Sequence, residues 1–119
     1  IYTMQAHQAF IAGTIEPPAG MRGASEDFAK YLAHAVALRT TATWGLAEAG
    51  AAGPPNRYGD PAGHVWYAVA GPFAPADDYV EFATRHLLTG VETRVENMAL
   101  FAAGALRFFL ETLESRNSR

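Results

Sequence analysis

The stretch GHVWYAVAGPF, from Gly63 to Phe73, constrains the fold of this chain more than any other segment. It is a short apolar run with Gly at one end and Gly-Pro near the other, a pattern typical of a buried β-strand. Val65, Tyr67 and Val69 would face one side of that strand and alternate with apolar residues on the other side. Both faces of the strand must therefore be covered by other parts of the protein.

A lone strand also needs a pairing partner, because unpaired backbone N–H and C=O groups are costly to bury. Three arrangements are open for this one. The strand pairs with the segment Gln8–Ile15, or it pairs with another copy of the protein, or the segment is helical after all. Hydrophobic periodicity does not decide whether Gln8–Ile15 is itself a strand or the end of a helix, since the segment is too short.

The other strong patterns in the sequence are helical. Ser25 is a good N-cap, and the two acidic residues that follow it favour the start of a helix. Segments rich in Gly, Pro, Asn and Asp separate the apolar patterns, because these residues form turns and end helices. We predict three helices, over Ser25–Ala49, Ala76–Leu88 and Gly90–Ser115.

These elements predict a mainly α protein, with residues 1–119 forming one helical domain. We expect a small helical bundle with a short β element. That element would be either one hairpin or an intermolecular strand pair.

The last predicted helix carries an unusually wide apolar surface. Its inner stripe would consist of the residues that recur at the helical period, namely Val91, Val95, Met98, Ala102, Ala105, Leu106, Phe109 and Leu113. Phe101 and Phe108 lie about 100° to one side of this stripe, and the total arc of roughly 200° exceeds the ~100° of an ordinary surface helix. We therefore predict that Phe101 and Phe108 form the contact of a homo-oligomer. The alternative is a central helix that is surrounded by its own chain.

Composition argues against several classes of function. The chain has no cysteine, which excludes disulfides, thiolate metal sites and cysteine nucleophiles and favours a cytoplasmic location. Its net charge is −3 and its basic residues are scattered, which argues against a nucleic-acid surface. No apolar run approaches the roughly 20 residues that a membrane span needs.

A few polar residues are candidates for ligand binding. Arg39 falls on the apolar face of the first long predicted helix, so we expect it to be buried and held by a carboxylate, or to grip an acidic ligand. His86 falls on the apolar side of the next predicted helix. The segment NRYGDPAGHVWY adds the remaining candidates, Arg57, His64, Trp66 and Tyr67. Such a mixture can bind a small molecule, and it is also typical of an ordinary turn before a strand.

The sequence contains no motif for a metal, a cofactor or a catalytic residue. The four histidines are far apart and none has metal-ligand spacing with another His or Glu. No phosphate-binding loop, dinucleotide fingerprint or nucleophile elbow is present. We therefore expect no metal and no cofactor.

Together, these observations predict a non-enzymatic interaction or assembly subunit. It would be homo-oligomeric through its C-terminal helix, with itself or another protein as partner. The alternative is a small-molecule-binding domain or enzyme with a pocket near Arg39, His86 and the segment His64–Tyr67.

Overall fold

A computed structural model describes residues 4–74 and 80–117 of the chain. Helix α1, Met4–His7, continues directly into a π-helical segment, Gln8–Ala12, and is followed by helix α2, Glu26–Thr40, and helix α3, Arg94–Asn117. The strands are β1, Gly45–Ala51, β2, His64–Ala70, and β3, Phe82–Leu88. The protein is therefore an α/β protein, and the prediction of a mainly α bundle is wrong.

The three strands form one antiparallel sheet in the order β1-β2-β3. Strand β2 is the apolar run singled out in the sequence, and it lies in the middle, where Trp66 pairs with Ala49 on one side and with His86 on the other. The strand prediction for this run is confirmed. All three proposed arrangements for it are wrong, because its partners lie in the same chain but not in the segment Gln8–Ile15, which is largely helical.

Strand β1 was predicted as the end of the first long helix, which instead stops at Thr40. Thr41 adopts a left-handed conformation, with φ of 54°, and so ends the helix. Strand β1 consists of Gly, Ala, Leu and Glu, a composition without the β-branched residues that mark strands. Small residues are needed there because α2 packs closely: a side chain at Gly45 would collide with the carbonyl group of Ala33.

Strand β3 was predicted as part of a helix over Ala76–Leu88. Residues 75–79 lie outside the described part of the chain, and Phe82–Leu88 is a strand. Glu81 and Arg85 have the spacing of a helical ion pair, but Arg85 instead pairs with Glu111 of α3 at 2.6 Å. Pairing with β2 overrides the local helical pattern, because it provides hydrogen-bond partners for the backbone groups along one whole edge of the central strand.

The two faces of the sheet are covered by different helices. On one face, Ala68 and Ala70 of β2 pack with Ala29 and Ala33 of α2 in a cluster of small buried side chains. On the other face, β2 presents Val65, Tyr67 and Val69 to Phe101, Ala105 and Phe108 of α3. The strand is thus buried on both faces, as its sequence predicts. Among the described residues, no helix is long and apolar enough to cross a membrane.

Helix α3 begins four residues later and ends two residues later than the predicted Gly90–Ser115, and its buried face is not the predicted one. Phe101 and Phe108 are only 3% and 5% exposed and pack against the sheet of their own chain, so they cannot serve as anchors on an outer surface. Val95 and Leu106, predicted in the inner stripe, are 77% and 66% exposed. The buried face also contains Asn97, a polar residue that is not part of the predicted stripe.

Asn97 is buried because it connects α3 to two loops. Its side-chain amide donates to the carbonyl groups of Ala52, at 2.8 Å, and Val91, at 2.7 Å. Its Oδ1 accepts a hydrogen bond from the hydroxyl group of Thr89. These bonds satisfy a buried amide and fix which side of α3 faces the sheet.

The orientation of α3 can be tested with two substitutions. We expect Phe101→Ala to lower the free energy of unfolding by about 3–5 kcal/mol, the usual cost of removing a buried Phe. Val95→Ala should change it by less than about 0.5 kcal/mol, because this side chain is exposed. Urea denaturation followed by circular dichroism measures both values. A larger loss for Val95→Ala than for Phe101→Ala would support the predicted stripe and contradict the observed orientation.

Candidate functional site

A cavity lies where β1 runs into the loop that leads to β2. It has a volume of about 490 Å³, within the range of small-molecule sites. Its floor is formed by residues 48–54, from the C-terminal half of β1 and the Gly-Pro turn that follows. The side walls are contributed by α2 and α3, with Phe28, Leu32, Met98 and Phe101 as the large apolar residues. Glu48, Asn56 and Arg94 are the polar side chains that line the cavity.

Asn56 organises the loop beside this cavity. Its Oδ1 accepts hydrogen bonds from the backbone N–H groups of Tyr58, at 3.0 Å, and Asp60, at 3.1 Å. Its Nδ2 donates to the Asp60 carboxylate at 2.8 Å. An Asn side chain that bonds backbone groups two and four residues later stabilises a tight turn, which explains how this loop keeps its shape.

An ion pair ties the loop to the segment before α2. The guanidinium of Arg22 lies 2.6 Å from the Asp60 carboxylate. This bond, together with the one from Asn56, holds the pKa of Asp60 below its ordinary value of about 3.8. The carboxylate is therefore ionised at neutral pH, and it positions Gly23 and Ala24 at the edge of the cavity.

His64 and His86 form a pair behind that edge. The Nε2 atom of His64 lies 2.8 Å from the carbonyl oxygen of Ala24, and its Nδ1 atom lies 2.6 Å from Nε2 of His86. A carbonyl oxygen only accepts, so Nε2 of His64 is the protonated nitrogen, and Nδ1 accepts the N–H of His86. The ring of Trp66 lies against His86, with 4.8 Å between centroids.

Glu48 lies at the other end of the cavity, on strand β1. The surrounding protein desolvates its carboxyl group, and this raises the pKa of Glu48. The neighbouring Tyr67 has its hydroxyl group buried, where it donates to the carbonyl oxygen of Phe101 at 2.8 Å. Burial, with a smaller effect of the Glu48 charge, raises the pKa of Tyr67 to about 12, so this phenol is a structural donor and not an acid at neutral pH.

Arg94, the first residue of α3, supplies positive charge at the cavity. Its Nη1 atom donates to the carbonyl oxygen of Gly53 at 3.0 Å, which fixes the guanidinium beside the Gly-Pro turn. A side chain at Gly53 would approach the carbonyl oxygen of Glu92, and its φ of 140° also favours glycine. The turn thus holds the backbone close to the start of α3.

The residues predicted from sequence are only partly brought together. His64, His86 and Trp66 cluster as described, and Tyr67 lies on the opposite face of the sheet. Arg57 is exposed and its guanidinium donates to the hydroxyl group of Tyr58. His86 lies on a strand and is exposed, so its predicted place on the apolar side of a helix is wrong.

The prediction that Arg39 is buried and held by a carboxylate is also wrong. Arg39 is exposed in the last turn of α2, and its guanidinium lies 5.5 Å from the ring centre of Phe10. The face of α2 that packs on the sheet consists mostly of Ala. The prediction used the larger apolar residues to decide which side of this helix is buried, and it therefore chose the wrong side.

Sequence reasoning missed the cavity residues Glu48, Asn56 and Arg94. Glu48 was assigned to a helix, and Arg94 is separated from it by 46 positions along the chain. The one available signal was the run GAAGPPN at the end of β1 and in the turn that follows, since clustered Gly and Pro allow a backbone to approach a ligand closely. Among the described residues, no group of three or more His, Asp or Glu side chains could hold a metal ion.

A sheet covered by α2 on one face and by α3 on the other, with a cavity at the end of an edge strand, defines an α/β domain with a candidate ligand site. The chain belongs to the CinA C-terminal domain family, whose model matches residues 2–113. No match was found among curated proteins.

Two solved structures share the fold. One is the competence/damage inducible protein CihA from Agrobacterium tumefaciens, with a TM-score of 0.72 and 23% identity; the match covers 93% of this chain and 64% of that one. The other belongs to the competence-damaged protein (CinA) superfamily and comes from Escherichia coli, with a TM-score of 0.70 and 24% identity, covering 93% and 60%. This chain therefore spans less than two thirds of either relative.

Membership of this family corrects the predicted function. The CinA C-terminal domain family is generally enzymatic, so the prediction of a non-enzymatic assembly subunit that associates through its C-terminal helix is wrong. The alternative prediction, a small-molecule-binding domain or enzyme, is the better supported one. Its proposed pocket was near Arg39, His86 and the His64–Tyr67 segment, whereas the cavity described above lies on the neighbouring strand β1.

The Asp60 network predicts a dependence of stability on pH. Because the pKa of Asp60 is lower in the folded protein than its ordinary value of about 3.8, this group stabilises the fold above that value. The stabilisation should be lost as the pH falls through the lower, folded-state pKa. Denaturation of the wild type and of Asp60→Asn between pH 2 and pH 7 measures the effect.

We expect Asp60→Asn to be destabilised at pH 7 and to approach the wild type at the acidic end of this range. Asp27→Asn serves as the control, since Asp27 is an exposed acidic residue in the first turn of α2. Equal pH profiles for the wild type and Asp60→Asn would show that the Arg22–Asp60 pair does not contribute to stability.

Proposed function

We propose that this chain is an enzyme domain that binds a small anion carrying a ring, of the size of a nucleoside monophosphate, in the cavity beside β1. The observation that supports this most is the composition of the cavity. It combines a guanidinium, a carboxyl group with a raised pKa and an apolar wall within one volume of about 490 Å³.

The apolar wall favours a ring on the ligand. Phe28 and Leu32 of α2 and Met98 and Phe101 of α3 line opposite sides of the cavity. A flat ring between these side chains would bury apolar surface, at roughly 25 cal/mol per Å². The ring would lie along β1, whose small residues leave room for it.

The charge of Arg94 favours an anionic group at the loop end of the cavity. The bond to Gly53 holds the guanidinium in place before a ligand binds, which reduces the entropy that binding would cost. Guanidinium groups bind phosphate and carboxylate through paired N–H donors, so an anionic ligand group is the chemistry that fits this residue.

Glu48 would act as the general acid or base. A carboxyl group with a raised pKa titrates nearer to neutral pH, where transfer of a proton to or from a substrate is most efficient. The pair of His64 and His86 lies behind Ala24 and does not line the cavity. In this proposal the two histidines do not contact the ligand and only position the edge of the site. The cytoplasmic location expected from the absence of cysteine stays a prediction.

Adenosine monophosphate, AMP, is a suitable probe for this cavity, because it carries both a ring and an anionic group. We expect AMP to bind the wild type and Arg94→Met to weaken that binding at least about tenfold, since a charge-assisted hydrogen bond contributes ~1.5–3 kcal/mol. Isothermal titration calorimetry gives the dissociation constants.

Arg107→Met is the matched control for this experiment. Arg107 lies on the same helix but lines a different cavity, beside Leu100 and Gly104. Its substitution should leave the affinity unchanged. If Arg94→Met and Arg107→Met weaken AMP to the same extent, the binding reflects overall charge and not the proposed site.

The state of Glu48 can be tested through stability. A folded-state pKa above the ordinary value of 4.5 means that the ionised carboxylate destabilises the folded protein at pH 7. Glu48→Gln should therefore be more stable than the wild type at pH 7, and this gain should vanish below about pH 4, where the carboxyl group is protonated in both states. A gain of equal size at both pH values would show that Glu48 is not desolvated in the folded protein.

A further inference from the structure

Another cavity, of about 400 Å³, lies beside α2 at the segment that leads into this helix. It shares no lining residue with the cavity beside β1, and its volume is within the range of small-molecule sites. Its apolar surface is contributed by Ile15, Pro18, Met21 and Phe82. A hydrogen bond from Met21 N–H to Pro18 C=O, at 3.3 Å, closes a turn in the segment and gives this wall of the cavity a defined shape.

Tyr31 of α2 is the residue of this cavity that indicates a ligand. It is only 6% exposed, and its hydroxyl group has no hydrogen-bond partner among the residues that the structure describes. The rings of His7 and Phe28 pack around its ring, with centroids 5.6 and 6.0 Å away. A buried hydroxyl group without a partner is costly, and a bound molecule with a hydrogen-bonding group would remove that cost.

Glu16 lies close to the same phenol group. Burial raises the pKa of Tyr31, and the charge of Glu16 adds to this effect, so the carboxylate is near enough to act on the hydroxyl group. Both residues line the cavity. One group of a ligand can therefore contact the carboxylate and the phenol oxygen together.

The charges in the cavity favour a cation. Glu16 and Asp27 contribute two carboxylates, and neither forms an ion pair with a described residue. Lys30 contributes one positive charge, and its ammonium group already lies 5.1 Å from the ring centre of Phe82. Burial lowers the pKa of His34, which is therefore neutral at pH 7. Two carboxylates and one ammonium group leave the cavity with a net charge of −1.

We propose that this cavity binds a small primary amine in its protonated form, with one positive charge and an apolar chain. The ammonium group would donate hydrogen bonds to the Glu16 carboxylate and to the phenol oxygen of Tyr31. The chain would lie on the apolar surface of the cavity, and the charge of Lys30 would disfavour a ligand with a second ammonium group. An ordered water at Tyr31 is the competing arrangement. The proposal does not depend on the binding of AMP.

The test compares three probes of equal chain length: pentylamine, which is protonated at pH 7, pentan-1-ol and pentanoate. Titrations followed by nuclear magnetic resonance give the dissociation constants. We expect pentylamine to bind at least about fivefold more tightly than pentan-1-ol, because only the amine forms charge-assisted hydrogen bonds. Pentanoate should bind more weakly than pentan-1-ol, because the cavity is negative. The ring signals of Tyr31 should shift with pentylamine, and the exposed Tyr58 is the internal reference.

Glu16→Gln tests the carboxylate, and Glu96→Gln is its matched control. Both substitutions remove one negative charge at nearly constant side-chain size. Glu96 is exposed on α3, which covers the other face of the sheet. We expect Glu16→Gln to weaken the binding of pentylamine at least about fivefold and Glu96→Gln to leave it unchanged.

Tyr31→Phe separates a ligand contact from a purely structural role. Removal of an unpartnered buried hydroxyl group should raise the midpoint of urea denaturation in the absence of ligand. The same substitution should weaken pentylamine at least about threefold, because the phenol oxygen no longer accepts a hydrogen bond. If an ordered water is the only partner of this group, Tyr31→Phe will be less stable than the wild type and will bind pentylamine with unchanged affinity.

Three results would overturn the proposal. The first is equal affinity for pentylamine and pentan-1-ol, or no binding of either. The second is an equal effect of Glu16→Gln and Glu96→Gln. The third is unchanged pentylamine affinity in Tyr31→Phe; if that variant does not fold, the two Glu variants decide. Arg94→Met should bind pentylamine like the wild type, so failure of AMP binding does not affect this test.

Discussion

The structure depends on β2, a strand that is paired at both edges and covered on both faces. Its odd-numbered side chains pack on α3, and its even-numbered ones pack on α2 or on His86. A strand in this position needs apolar side chains throughout and partners for every backbone group. The rest of the chain satisfies these needs: β1 and β3 supply the hydrogen bonds, and the two helices exclude water.

The candidate site follows from the same arrangement. Because β1 and β2 are adjacent and antiparallel, the loop between them must turn at one end of the sheet, near the start of α2 and of α3. Asn56 and the Arg22–Asp60 pair hold that loop, and Asn97 and Arg94 fasten it to α3. The small residues of β1 allow α2 to pack closely, and a cavity remains at the edge of the strand. The site therefore combines residues that are far apart in the sequence.

Sequence predicted the elements whose pattern is local and strong. Strand β2 and the Ser25 cap, which accepts from Phe28 N–H at 3.2 Å, are confirmed, and so is the presence of a long C-terminal helix, although its ends are shifted. Strands β1 and β3 were assigned to helices because Ala, Leu and Glu favour helices and because only pairing with β2 makes these segments strands. The buried face of α3 was misassigned because Asn97 and Thr112 are buried polar residues that bond to backbone carbonyl groups. The sequence could predict that His64 lies near Trp66, because the two residues are close in one strand. It could not predict that Glu48 and Arg94 line the same cavity, because that requires β1 to be a strand of the sheet.

The most direct test of this account is amide hydrogen exchange along β2. Both rows of its amides should be protected to the level of global unfolding: Val65, Tyr67 and Val69 through β3, and Trp66, Ala68 and Ala70 through β1. If alternate amides of β2 exchange as fast as those of an open strand edge, one of the two neighbouring strands is not paired with it. That result would contradict the three-stranded sheet and the site built on it.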